Sequence, residues 1–130
     1  MIDRTVAQKL QIKSGDSIAI VGATDDEIAL LHPFPDGTSL ADTPNAAIAI
    51  VYVRNREQLL AQLARILPSS GGVRALWVCY PKGGRADLNR DTIMRETGAF
   101  GWRPISNVSI DEVWSAVRVR PLQPGEAPVG

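Results

Sequence analysis

Lys82 and Arg85 flank a glycine pair in the run Tyr80-Pro81-Lys82-Gly83-Gly84-Arg85-Ala86-Asp87. An anion needs what such a run offers: positive charge, and backbone N–H groups left accessible by glycines that carry no side chain. The helix expected after the run turns its positive end toward Asn89, which adds to the same effect. The Gly-Lys-Ser/Thr order of a phosphate loop is missing, so nucleotide hydrolysis is not expected. A solvated connecting loop is the plainer reading of the same residues, and at this level both stand.

Other reactive side chains are scattered. Asp25, Asp26 and Glu27 have the chemistry of a general base or a metal ligand, but acids also gather in the first turn of a helix for electrostatic reasons alone. Asp87, Asn89, Arg90 and Asp91 read equally as polar site groups or as a helix cap with a local ion pair. His32 is the single histidine and Cys79 the single cysteine, so no zinc pattern and no intrachain disulfide is available. Cys79 sits in an apolar run, the setting of a small buried hydrophobe rather than a reactive thiol. Ser115 lacks the Gly-x-Ser-x-Gly setting of a nucleophile elbow. Trp77, Trp102 and Trp114 are expected to pack in or around a sheet.

These groups have to be positioned by elements that the apolar pattern marks out. Ser17–Val21, Ala46–Val53 and Val73–Tyr80 are continuous apolar runs bounded by turn residues, as in strands covered on both faces. Thr38–Leu40 reads as a short edge strand. Trp102–Val108 contains Pro104 and belongs near an edge, while Val113–Arg120 alternates and reads as a final antiparallel strand. Thr5–Leu10 fits a helical turn, and Thr24 or Asp25 caps a second short helix. Asn55 and Gln58 form a capping-box pattern ahead of Leu59, Leu60, Leu63, Ile66 and Leu67 at helical spacing. A last helix runs from Asp87 or Asn89 to Thr97, with Gly98 beyond its end. Strands alternating with helices predict a three-layer α/β sandwich with a mostly parallel sheet. In such sheets ligands sit at the carboxyl ends of the strands, where Gly22 and the Tyr80–Asp87 run lie.

Two motifs precede central strands: Leu10-Gln11-Ile12-Lys13-Ser14-Gly15-Asp16, and a helix ending in Leu67-Pro68 with the turn Gly71-Gly72. This layout resembles that of class I S-adenosylmethionine-dependent methyltransferases over about residues 6–120, and implies a truncated Rossmann-like sheet of that kind. Trp77–Lys82, Asp87–Asp91 and Val108–Ala116 resemble more narrowly a family of small bacterial methyltransferase-like proteins of unknown function. The resemblance implies S-adenosylmethionine as the cofactor to test. Gly22 would then mark the cofactor loop, and Asp42 is the nearest counterpart of the acid that holds the ribose hydroxyls. The methyltransferases carry several closely spaced glycines after the first strand; here Val21-Gly22-Ala23-Thr24-Asp25-Asp26 has one.

The chain has 130 residues, of which 45% are hydrophobic, enough for one core without disulfide or metal. Residues 1–120 are expected to form a single Rossmann-like domain and 121–130 a flexible tail. Fourteen basic residues balance fourteen acidic ones, which argues against the basic footprint of a nucleic-acid binder. No segment has the apolar length to span a membrane, and the N-terminus lacks a signal-peptide layout, so the expected compartment is the cytoplasm. Two functions follow: a non-catalytic binding or regulatory domain that takes a small or anionic ligand or a protein partner, and a minimal methyltransferase. The ligand site in either case is expected among Gly22, Asp42, Tyr80, Lys82, Gly83, Gly84, Arg85 and Asp87. A sheet this short also leaves an edge that a second copy would cover.

Overall fold

The computed structural model describes residues 5–83 and 88–127. Thr5 caps α1 (Val6–Lys9) by accepting from the Gln8 N–H. Then come β1 (Ser17–Val21), α2 (Asp25–Ala29) and the two-residue β2 (Ser39–Leu40). β3 (Ile48–Tyr52), α3 (Arg56–Ile66) and β4 (Ala75–Pro81) form a crossover unit. α4 (Arg90–Ala99), β5 (Trp102–Ser109) and β6 (Trp114–Pro121) complete the chain. The sheet order is β2-β1-β3-β4-β6-β5. Pairing is parallel from β2 through β4, and β6 runs antiparallel to both β4 and β5. The fold is therefore the expected mostly parallel α/β sheet with a reversed C-terminal strand. β5, with Pro104 inside it, is an edge strand as its proline requires.

Side-chain alternation divides the core in two. Ala49, Val51, Leu76, Val78, Val117 and Val119 pack on one face with Leu59, Leu63 and Ile66 of α3 and Ile93 of α4. Ile48, Ile50, Ala75, Trp77 and Cys79 face the other way, toward Ala7, Leu10, Leu31 and Ile110. The second face is thus covered by the short helices α1 and α2 and loop residues, a thinner layer than the two long helices opposite. Among the described residues no helix is long and apolar enough to cross a membrane.

Three local outcomes refine the sequence reading. Asn55 accepts from the Gln58 N–H at 2.8 Å, but the Gln58 side chain reaches back to the N–H of Arg54 rather than of Asn55. α4 runs through Gly98 to Ala99, and the left-handed turn comes at Gly101, φ +79°. Beyond β6 the chain folds back: Glu126 binds Arg120 at 2.8 Å and Arg103 at 2.7 Å. The Arg120 guanidinium, with the Gln123 N–H, draws the Glu126 carboxyl down to a pKa of about 2.

The Lys13-Ser14-Gly15-Asp16 turn owes its hold to Asp16. Its carboxylate accepts from the Lys13 N–H at 2.7 Å and from both terminal nitrogens of Arg74. Arg74 in turn donates to the Gln11 carbonyl at 3.0 Å, so the start of β4 is tied to the turn ahead of β1. The Arg74 hydrogen bonds hold the Asp16 carboxyl below its ordinary value of 3.8, against the opposing effect of burial. Folding therefore favours the ionised form. Its contribution is complete above that ordinary value and is lost as pH falls through the depressed one. Asp16→Asn is expected to cost about 2 kcal/mol at pH 7; Arg74, 42% exposed, regains water when unpaired. Urea unfolding of both proteins between pH 7 and pH 3 should show the gap narrowing in acid. A gap constant across that range would show that the ionised carboxylate is not what stabilises.

Candidate functional site

β1 is followed in sequence by β2 on one side of it and, after β2, by β3 on the other. The reversal places the crevice where an open α/β sheet takes a ligand between the carboxyl ends of β1 and β3. Gly22 leaves β1 there with φ +76°. A Cβ at this position would stand 2.7 Å from the Tyr52 carbonyl oxygen. Glycine is needed here because β3 passes so close, independently of any ligand.

Arg54, which follows β3, lies across the same crevice. Its Nη1 donates to the Gly22 carbonyl at 2.9 Å, and its Nη2 pairs with the Glu27 carboxylate. The guanidinium also lies over the Trp114 ring, 5.6 Å from the centroid, a cation–π contact. Trp114 meets Tyr52 edge-on at 4.9 Å. Glu27 is at the same time the third residue of α2, and its carboxylate accepts from the N–H of the helix cap, Thr24. The loop after β1, the start of α2, the end of β3 and the start of β6 are thereby joined through one arginine.

Lys82 leaves the end of β4. Its ammonium donates to the Ser109 hydroxyl and the Asp111 carbonyl, and its N–H bonds the Val113 carbonyl at 2.7 Å. These oxygens are neutral, so its charge is not cancelled by an ion pair among the described residues. Asp111 uses its carboxylate inside the β5–β6 turn, accepting from the N–H groups of Val113 and Trp114. Gly83 continues outward in the left-handed region, φ +79°.

The other expected site residues are spread more widely. Tyr80 is 6% exposed and points into the core, where its hydroxyl accepts from Asn107 at 3.2 Å. Asp42 lies just past β2, exposed, at the start of a 3-10 turn it does not cap with its side chain. It lines a cavity of about 390 Å³ with Thr43 and Arg65, on the face that carries α3. Gly84, Arg85 and Asp87 lie outside the described residues. Gly22 and Lys82 therefore share the carboxyl edge of the sheet, while Tyr80 turns inward and Asp42 belongs to the β2 flank.

The remaining candidates serve the scaffold. Asn89 caps α4 by accepting from the Thr92 N–H at 2.9 Å. Cys79 is fully buried, and desolvation pushes its thiol far above the ordinary range, so it is inert. His32 is exposed, its ring 4.2 Å from that of Phe34. Ser115 pairs with Tyr80 in the β4–β6 ladder. Among the described residues no three His, Cys, Asp or Glu side chains gather as a metal site. Arg54 is the group that sequence reasoning missed. Its one signal was position, as the charged residue that ends the most apolar strand.

No family model and no curated protein matches this sequence. Solved structures do resemble the fold. A protein of the NADB-Rossmann superfamily from Streptococcus agalactiae matches with a TM-score of 0.60 at 8% identity, over 95% of this chain and 70% of its own. A ribosomal protein L11 methylase from Lactobacillus delbrueckii subsp. bulgaricus matches at 0.59 and 8% identity, over 91% and 75%. A putative tRNA (m1A22) methyltransferase of Streptococcus pneumoniae, in complex with S-adenosyl-L-methionine, matches at 0.56 and 10% identity, over 95% and 74%. The chain has a methyltransferase-like Rossmann fold; at these identities the likeness concerns the fold.

Proposed function

We propose that this methyltransferase-like fold serves as a binding or regulatory domain and does not transfer a methyl group. The observation that carries the reading is Arg54. Its guanidinium, bonded to the Gly22 carbonyl, paired with Glu27 and laid over Trp114, occupies the crevice between β1 and β3. A sulfonium cofactor would have to displace that contact set and would bring a second positive charge beside the first. The single glycine of the loop supports the same reading, because the close approach it permits is taken up by the Tyr52 carbonyl. Both features support the reading that S-adenosylmethionine is not the ligand of this crevice. The ligand this reading assigns is anionic and meets the carboxyl edge at Lys82, together with Gly83, Gly84, Arg85 and Asp87 of the same loop.

The test is calorimetric titration of the protein with S-adenosylmethionine and with S-adenosylhomocysteine. No saturable heat is expected up to about 1 mM of either, that is, a binding free energy weaker than about −4 kcal/mol. Binding at micromolar Kd would overturn the reading and restore the minimal methyltransferase as the working assignment.

A further inference from the structure

We infer that the chain forms a two-fold dimer by antiparallel pairing of β2 with β2 of a second copy. The site is the open flank of the sheet, apart from the crevice that Arg54 closes.

The backbone at β2 is half used. Ser39 N–H donates to the Asp16 carbonyl at 3.1 Å and Ala41 N–H to the Ile18 carbonyl at 2.9 Å. Residues along a strand direct their N–H and C=O groups to alternate sides. The N–H and C=O of Leu40, between them, therefore point away from β1. Leu40 is the partner of Ile18 in the ladder and shares its face, yet the residue is 76% exposed. On that face a cavity of about 360 Å³ is walled by Ile18, Ile20, Ile28, Phe34 and Leu40.

The patch is complementary to itself. It holds one protruding leucine, one mostly apolar hollow beside it, and one N–H with one C=O on the same residue that are unpaired among the described residues. A two-fold axis through Leu40 lets both copies exchange those two hydrogen bonds as one hydrogen-bonded antiparallel pair. Each leucine then lies across its partner's hollow, as an isologous contact requires. A lone donor–acceptor residue suits a closed pair; it offers no row of groups for open-ended strand addition.

The opposite edge makes the contrast. β5 carries Arg103, Pro104 and a register irregularity between Pro104 and Ser106, the devices that discourage strand addition. Thr38, Ser39, Leu40 and Ala41 carry no charge and no proline. The chain guards one edge of its sheet and leaves the other pairable.

Sedimentation equilibrium of the full chain tests this. The wild type is expected to show a concentration-dependent mass approaching twice 14.0 kDa. Leu40→Lys places a charge in the seam, and Leu40→Pro removes the outward N–H while leaving the bonds to β1 in place. Both are expected to raise the dimer dissociation constant at least tenfold with far-UV circular dichroism unchanged. A wild type that stays monomeric at about 1 mM, or a dimer that survives both changes, overturns the proposal. Hydrogen exchange of the wild type guards against misfolded variants. Leu40 N–H should gain protection as concentration rises, and a Leu40 N–H that exchanges equally fast at all concentrations would count against the pairing.

Discussion

Trp77→Ala is expected to remove about 3–5 kcal/mol of folding stability, the largest loss from a single side chain in this fold. Trp77 occupies the centre of β4, between Ile50 of β3 and Arg118 of β6, with no exposed surface. Its truncation opens a cavity in the thinner of the two cores, where the short helices α1 and α2 and loops have no second layer of helix to collapse inward. The indole also donates to the Leu10 carbonyl at 3.0 Å, in a buried position. Alanine leaves that oxygen without its partner, a further contribution to the loss. Trp77→Phe separates the two parts, since it keeps most of the volume and loses the donor. Its expected cost is about 1–3 kcal/mol. Urea unfolding should show lower midpoints with an unchanged slope in both variants. A Trp77→Ala protein within about 1 kcal/mol of wild type would mean that the second face is less tightly packed than its burial implies.

Gly22→Ala is expected to cost about 3 kcal/mol, from two sources that add at one atom. The backbone at φ +76° disfavours any L side chain, and the new Cβ would stand 2.7 Å from the Tyr52 carbonyl oxygen. The close atom is backbone of β3 rather than the end of a flexible side chain, which leaves little room for relief. Relief by shifting β1 would also break the Arg54 contact to the Gly22 carbonyl. The variant should therefore unfold at lower urea and lose the Arg54–Glu27 pair, which nitrogen chemical shifts of the Arg54 side chain would register. An unperturbed Arg54 in a destabilised variant would show that the loop yields without disturbing the crevice.

The strands were legible because apolar runs bounded by turns leave little ambiguity. Ser17–Val21 is β1 residue for residue, and Pro104 identifies an edge strand. Caps were legible for the same local reason at Asn55, and to within two candidates at Thr24 or Asp25 and at Asn89 or Asp87; the cap at Thr5 was not read from the sequence. The helix end at Gly98 was not, since a glycine three residues before the true turn at Gly101 carries the same signal. The site was less legible still. Gly22 in sequence suggests room for a ligand; in the fold, the group close to it is the Tyr52 carbonyl, thirty residues on. Asp16 reads as a turn residue and proves to be the partner of Arg74. Arg54 reads as an ordinary cation after a strand, because nothing local reveals that Glu27 and Trp114 converge on it. Pairings between residues far apart leave no periodic trace.

The long span of those pairings bears on how the chain is assembled. The Trp77–Leu10 hydrogen bond joins residues 67 positions apart, and Asp16–Arg74 joins residues 58 apart. Closing a loop of that length costs about 4 kcal/mol in chain entropy before any contact forms. Each of the two contacts holds an element already described, yet neither offsets that closure alone; together, along with the burial of Ala7, Leu10 and Ile12, they do. Residues 7–16 thus act as a keystone over the start and the buried face of β4. To cut them away is to strip Trp77 and Arg74 of their partners in the middle of the sheet, rather than to shorten an end.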